Sequence, residues 1–236
     1  MINSGNPFLD ALRQSLLPVE GWGKFRVGAR PASVVAALFE DAGDWHLPFV
    51  ARRPDAPDHP GQVALPGGGV RPGESAWEAA ARECAEEIGV APHSLQPLGA
   101  GPPLYAAVTN FHVVPFVAVV AGPRPAFVHQ ASELEEVFEI PLRELLADAG
   151  WLEAEPGSWL GRHFPWRERI VWGLTARLLA DLLPRFREAL GDPRSGTAQV
   201  EPGVQTIAAD QDRGRGVGDQ QVDHDTPAAD SRRTSS

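Results

Sequence analysis

Between residues 75 and 88, Trp77, Ala80, Ala81, Cys84 and Ile88 recur at intervals of three and four. That is the period of a helix with one buried face. Ser75 with Glu78 three residues later makes a capping-box start. Gly89 stands where a left-handed residue commonly closes a helix. The pattern predicts a helix over roughly 75–88. Two apolar runs, 33–39 and 47–52, read as buried strands around a turn at Asp41–Asp44. A proline-rich loop at 54–60 leads to the short run 62–65 and then to Gly67, Gly68 and Gly69. Residues 97–108 and 111–120 read as a strand pair turning near Thr109 and Asn110. A short strand is expected at 135–140 and a short helix at 141–148. An amphipathic helix at 6–17 stops at Pro18. A longer helix is expected over 167–189, with Ile170, Leu174, Leu178 and Leu182 on one face.

From residue 191 the apolar periodicity stops, and Gly, Asp, Gln, Arg, Ser and Thr dominate. Too little apolar surface remains there to offset chain entropy. The expected organisation is an N-terminal extension with a short helix (1–30), one α/β domain (31–190) and a disordered tail (191–236). No internal repeat is evident.

Composition narrows the function classes. The net charge of −10 argues against a nucleic-acid surface, which needs clustered Lys and Arg. It does not argue against an anionic small substrate, because a bound dication reverses the local sign. The single cysteine, Cys84, excludes an intramolecular disulfide and fits a reducing cytoplasm. On the apolar helix face it reads as inert packing. No run approaches the length of a membrane span, and the N-terminus lacks a basic region followed by an apolar core. A cytoplasmic protein with no membrane partner is expected.

The chemistry lies on the other side of the 75–88 helix. Glu83, Glu86 and Glu87 fall at i, i+3 and i+4, so their carboxylates crowd one face. Such repulsion is tolerated if a positive group sits between them. A hard divalent cation with oxygen ligands fits, and Mg²⁺ held by carboxylates commonly also grips a substrate phosphate. The preceding glycines let the backbone approach a ligand or adopt positive φ. Arg52, at a strand end before the glycines, is a candidate phosphate contact. Arg82 suits a role orienting a neighbouring carboxylate. His59 and His112 lack metal-ligand spacing and receive no metal role.

The spacing Gly68, five residues, Glu74, seven residues, Arg82-Glu83-Cys84, one residue, Glu86-Glu87, one residue, Gly89-Val90 resembles the Nudix box, G-x5-E-x7-R-E-U-x-E-E-x-G-U. Cys84 stands where the family usually has a larger aliphatic residue. The resemblance implies an α/β/α sandwich with a mixed sheet. It implies a hydrolase that cleaves a diphosphate linked to another moiety, using Mg²⁺ or Mn²⁺. It also implies Glu83, Glu86 and Glu87 as catalytic metal ligands. Glu74 is either a further ligand or a brace for the loop. Glu133 or Glu136 would be the general base, and Arg52 with Gly67, Gly68 and Gly69 would contact substrate.

Further segments resemble one branch of that family, the coenzyme A diphosphatase-like hydrolases. They are His59–Gly68, Phe111–Val117, Glu133–Leu142, and His163–Trp166 with Ile170–Ala176. His163, Trp166 and Trp172 are branch-like aromatic positions that serve either packing or base stacking. The branch signature has an Arg four residues before Gly61, where this chain has Pro57. Three readings follow: hydrolysis of coenzyme A or a related nucleoside diphosphate derivative; hydrolysis of ADP-ribose, dinucleotides or damaged nucleotides; or a non-catalytic binding module of the same fold. The partner is a small-molecule diphosphate, and the assembly is a monomer or a homodimer.

Overall fold

The structure is a computed structural model. It describes residues 5–22, 25–56, 60–128, 132–156, 158, 160–191 and 205–207. Its axis is β1 (Arg30–Asp41), whose near-continuous apolar run marks a strand buried on both faces. One edge of β1 runs parallel to β7 (Phe111–Val120) from Arg30 to Leu38. The other edge is divided. Its N-terminal part pairs antiparallel with β4 (Gly67–Gly69), and its C-terminal part pairs with β2 (Asp44–Arg52). Where the two partners part, the Val35 N–H donates to Pro66 O at 2.8 Å. β5 (Leu95–Ala100) and β6 (Leu104–Ala106) lie antiparallel to β7, while β3 (Val63–Ala64) and β8 (Leu134–Pro141) lie antiparallel to β2.

The period of two along the strands separates two cores. Ala36 and Leu38 of β1 and Val117 and Val119 of β7 face α1 (Pro7–Ser15) and α4 (Gly173–Ala189). Val35, Ala37 and Phe39, with Val114, Phe116 and Ala118, face α2 (Ala76–Ile88). The result is the expected α/β/α sandwich on a mixed sheet.

α2 forms where the pattern places it. Ser75 caps it, with the reciprocal Ser75–Glu78 bonds of a capping box, and Gly89 ends it at φ 74°. Ala80, Ala81, Cys84 and Ile88 are buried, and Trp77 packs edge-on against Phe116. The predicted strand at 97–108 is two strands. They are separated at Gly101-Pro102-Pro103, where consecutive prolines cannot donate to a ladder.

The predicted helix at 167–189 begins later, at Gly173. Arg167, at φ 53°, turns the chain between β10 (Arg162–Trp166) and β11 (Arg169–Val171), which pair antiparallel. Ile170 is therefore an exposed strand residue, not part of the helix face that buries Leu178 and Leu182. With β9 (Leu152–Glu153) these strands make a small second sheet that folds Phe164 and Val171 onto the α4 core. α3 (Leu142–Leu146) is the short helix expected after β8.

Of the 191–236 tail, residues 192–204 and 208–236 lie outside the described residues. Gln205–Ile207 forms β12, parallel to β6, a local departure from an irregular tail.

Candidate active site

Arg82 organises the site. Its Nε donates to Glu74 Oε1 at 2.7 Å, and one Nη donates to Glu74 Oε2 at 3.1 Å and to Gly69 O at 3.1 Å. The other Nη donates to Glu83 Oε1 at 2.7 Å and to Glu86 Oε2 at 3.2 Å. A planar fork of five donors suits this gathering of fixed oxygens. It supplies positive charge to two of the three carboxylates on the helix face, Glu83 and Glu86. Arg82 holds the Glu74 carboxyl below the usual carboxylate range, against the opposing effect of burial. Glu74 in turn accepts the Arg71 N–H at 3.0 Å, which fastens the glycine loop to the helix.

Glu87 stands apart from this cluster and is nearly sealed from solvent. Its Oε2 accepts the Gly67 N–H at 2.9 Å, and Arg52 lies 3.9 Å from its Oε1. Burial pushes its pKa up to about 7, opposed by the Gly67 bond and by Arg52. Glu83 and then Glu133 raise it further, which places both carboxylates within electrostatic reach of Glu87. Glu136 is engaged elsewhere. Arg169 binds it at 3.1 Å and also takes Glu135 at 3.0 Å.

The glycines are required by close approach within the chain. A Cβ on Gly67 would fall onto Ser33 O and lie 2.5 Å from Val34 Cα; one on Gly68 would lie 2.5 Å from the Glu83 carboxylate. Gly69 is open, and its carbonyl accepts from Arg82.

The fold thus brings together Glu74, Glu83, Glu86 and Glu87 with Arg52, Gly67, Gly68 and Gly69, and it sets Glu133 at their edge. Among the described residues no three His, Cys, Asp or Glu side chains converge as a ready-made cation cage. Glu74, Glu83 and Glu86 are turned to Arg82 instead, and Glu87 to Gly67 and Arg52. The donor set is nonetheless all carboxylate oxygen, the chemistry a hard cation takes. Glu86 is half-exposed and can reorient without disturbing the core.

His163 bonds its own loop through Gly161 O, and Trp166 packs at 6.1 Å from Phe164. Cys84 is buried, and burial raises its thiol pKa, as an inert core residue requires. Pro57 and His59 lie outside the described residues. Two arginines at the site carry no sequence signal of their own. Arg71 reaches Glu86 from the loop, and Arg169 reaches Glu135 and Glu136 from more than thirty residues away.

The family model described as NUDIX domain matches residues 29–160, more than half the chain. The chain belongs to the Nudix family and is a hydrolase of the pyrophosphatase class. It is 36% identical over 141 residues to the uncharacterised Nudix hydrolase NudL of Pectobacterium atrosepticum, covering 58% of this chain and 72% of that protein. It is likewise 36% identical over 143 residues to NudL of Citrobacter koseri, covering 52% and 66%. The crystal structure of a NUDIX hydrolase from Nitrosomonas europaea shares the fold, with a TM-score of 0.50 at 15% identity over 78% of this chain and 81% of that one.

Proposed function

We propose that this Nudix hydrolase cleaves the diphosphate bond of coenzyme A or a related nucleoside diphosphate derivative, with Mg²⁺ or Mn²⁺ bound. One observation carries the substrate reading: branch-like segments outside the box bond to one another across the fold. Thr175 Oγ1, from the 163–176 segment, donates to Val63 O in the 59–68 segment at 2.9 Å, in a buried bond. Arg169, from the same segment, binds Glu135 and Glu136 of the 133–142 segment.

Glu83, Glu86 and Glu87 would hold the cation. When bound, it supplies charge neutralisation at the phosphoryl oxygens and a more acidic water. The chain's own residues supply the rest. Gly67 fixes the Glu87 carboxylate and Arg82 fixes that of Glu83. Arg52 offers a guanidinium to a phosphate at the end of β2. Glu133 is the better base than Glu136, because Glu136 accepts two bonds from Arg169.

Purified protein with Mg²⁺ or Mn²⁺ should convert coenzyme A to 4′-phosphopantetheine and adenosine 3′,5′-bisphosphate, read by mass. Turnover of ADP-ribose or a dinucleotide faster by about a hundredfold or more would remove the coenzyme A assignment. Pro57, in place of the branch's Arg, favours that second reading. Full turnover in excess chelator would remove the metal.

A further inference from the structure

We propose that Arg71 is a phosphate-positioning residue, parked on Glu86 and released when a cation takes that carboxylate. The inference rests on the metal-dependent reading above. Arg71 has a fixed root and a loose head. Its N–H donates to Glu74 Oε2 at 3.0 Å, and its carbonyl accepts the Glu74 N–H at 3.1 Å. Glu74 is itself clamped by Arg82, so the loop at Arg71 moves little relative to α2.

The guanidinium is held far more weakly. It is 60% exposed and touches both oxygens of Glu86 only at 3.5 Å, whereas the less exposed Arg82 bonds Glu86 at 3.2 Å and Glu83 at 2.7 Å. An ion pair this exposed contributes little and is readily given up. A cation on Glu86 repels the Arg71 head from the same oxygens. The released fork is then tethered beside the carboxylates with its donors unspent, and its geometry matches a phosphate. Arg52, on β2, stands against Glu87 in a comparable way. A diphosphate offers two anionic groups, and the site then has one arginine from the loop and one from the strand to receive them.

The test measures Mn²⁺ binding by electron paramagnetic resonance, without substrate, together with steady-state kinetics. It compares wild type, Arg71→Ala and Arg71→Lys on whichever diphosphate substrate wild type turns over. Arg71→Ala should bind Mn²⁺ about two- to fivefold more tightly, since a competing cation has gone. Its KM should rise about tenfold or more, with kcat within about threefold of wild type, the signature of a lost binding contact. Arg71→Lys should keep the wild-type Mn²⁺ affinity and show an intermediate KM. Wild-type Mn²⁺ affinity and KM in Arg71→Ala would overturn the role of Arg71 alone. A wild-type protein that binds no Mn²⁺ would overturn the metal-dependent reading and this inference with it.

Discussion

Two neighbouring glycines should fail in different ways when each is replaced by alanine. In Gly68→Ala the new Cβ meets the Glu83 carboxylate at 2.5 Å, about an ångström inside ordinary contact. The obstacle is the tip of a flexible side chain, so the carboxylate swings aside and the backbone holds. The swing breaks the 2.7 Å bond from Arg82, a charge-assisted bond of roughly 1.5–3 kcal/mol. Reduced freedom of the unfolded chain returns about 0.4–1 kcal/mol. The net cost is about 1–2 kcal/mol, which lowers Tm by roughly 2–8 °C in a chain of this size. Turnover should fall about a hundredfold, because a side chain displaced by an ångström no longer meets its ligand. In Gly67→Ala the obstacles are Ser33 O and Val34 Cα, backbone atoms of the central strand that no rotamer change can move. β4 must leave β1 along Ala32–Val34, and the Gly67 bond to Glu87 goes with it. That should cost more than about 4 kcal/mol. Thermal melts and hydrolysis assays on both variants decide the matter. Wild-type turnover in Gly68→Ala, or equal melting of the two variants, would refute the reasoning.

Other perturbations probe the rest of the structure. Arg82→Ala should lose about 2–4 kcal/mol in chelator, since three carboxylates are left facing one another, and Mg²⁺ or Mn²⁺ should restore part of the lost Tm. His112 is buried and accepts the Arg26 N–H through Nδ1 at 2.8 Å; burial first, then Arg26, lowers its pKa below the usual value of about 6.5. The unfolded chain therefore takes up that proton first. The His112 contribution is fully present above about pH 6.5 and is lost as pH falls toward the folded value. Melts of His112→Asn, whose carbonyl can accept the same N–H, should show a shallower acid slope than wild type; identical slopes would count against this. Truncation after residue 190 removes, among the described residues, the three-residue pairing of β12 and the Gly191 N–H bond to Glu188 O, and should shift Tm by no more than a few degrees. Loss of turnover in that variant would show that the tail belongs to the site.

Much of this protein was legible locally. The α2 helix carries its own start, its own stop and a period of 3.6, so its span, its buried face and its acidic face followed from neighbours within four residues. β1, β2 and β7 are apolar runs bounded by turn residues, and their existence followed from the same short range; β4 at Gly67–Gly69, read as a loop, and β12, in the segment read as a tail, did not. What the sequence could not state was which groups meet across long separations. The periodicity at 167–189 is compatible with helix throughout. Only the fold onto the α4 core of Phe164 and Val171, with Arg167 turning between their strands, makes 162–171 a hairpin. The need for glycine at 67 and 68 reads from the sequence as freedom near a ligand; in the fold it is the approach of β4 to β1 and to Glu83. The charges behave alike. Three glutamates at i, i+3 and i+4 announce a site, but nothing in their spacing says that Arg82 collects two of them while the third is buried on Gly67. Spacing along one helix fixes which side chains share a face. Their partners, burial and pKa depend on what the rest of the chain packs against that face, and that is settled only when the fold closes.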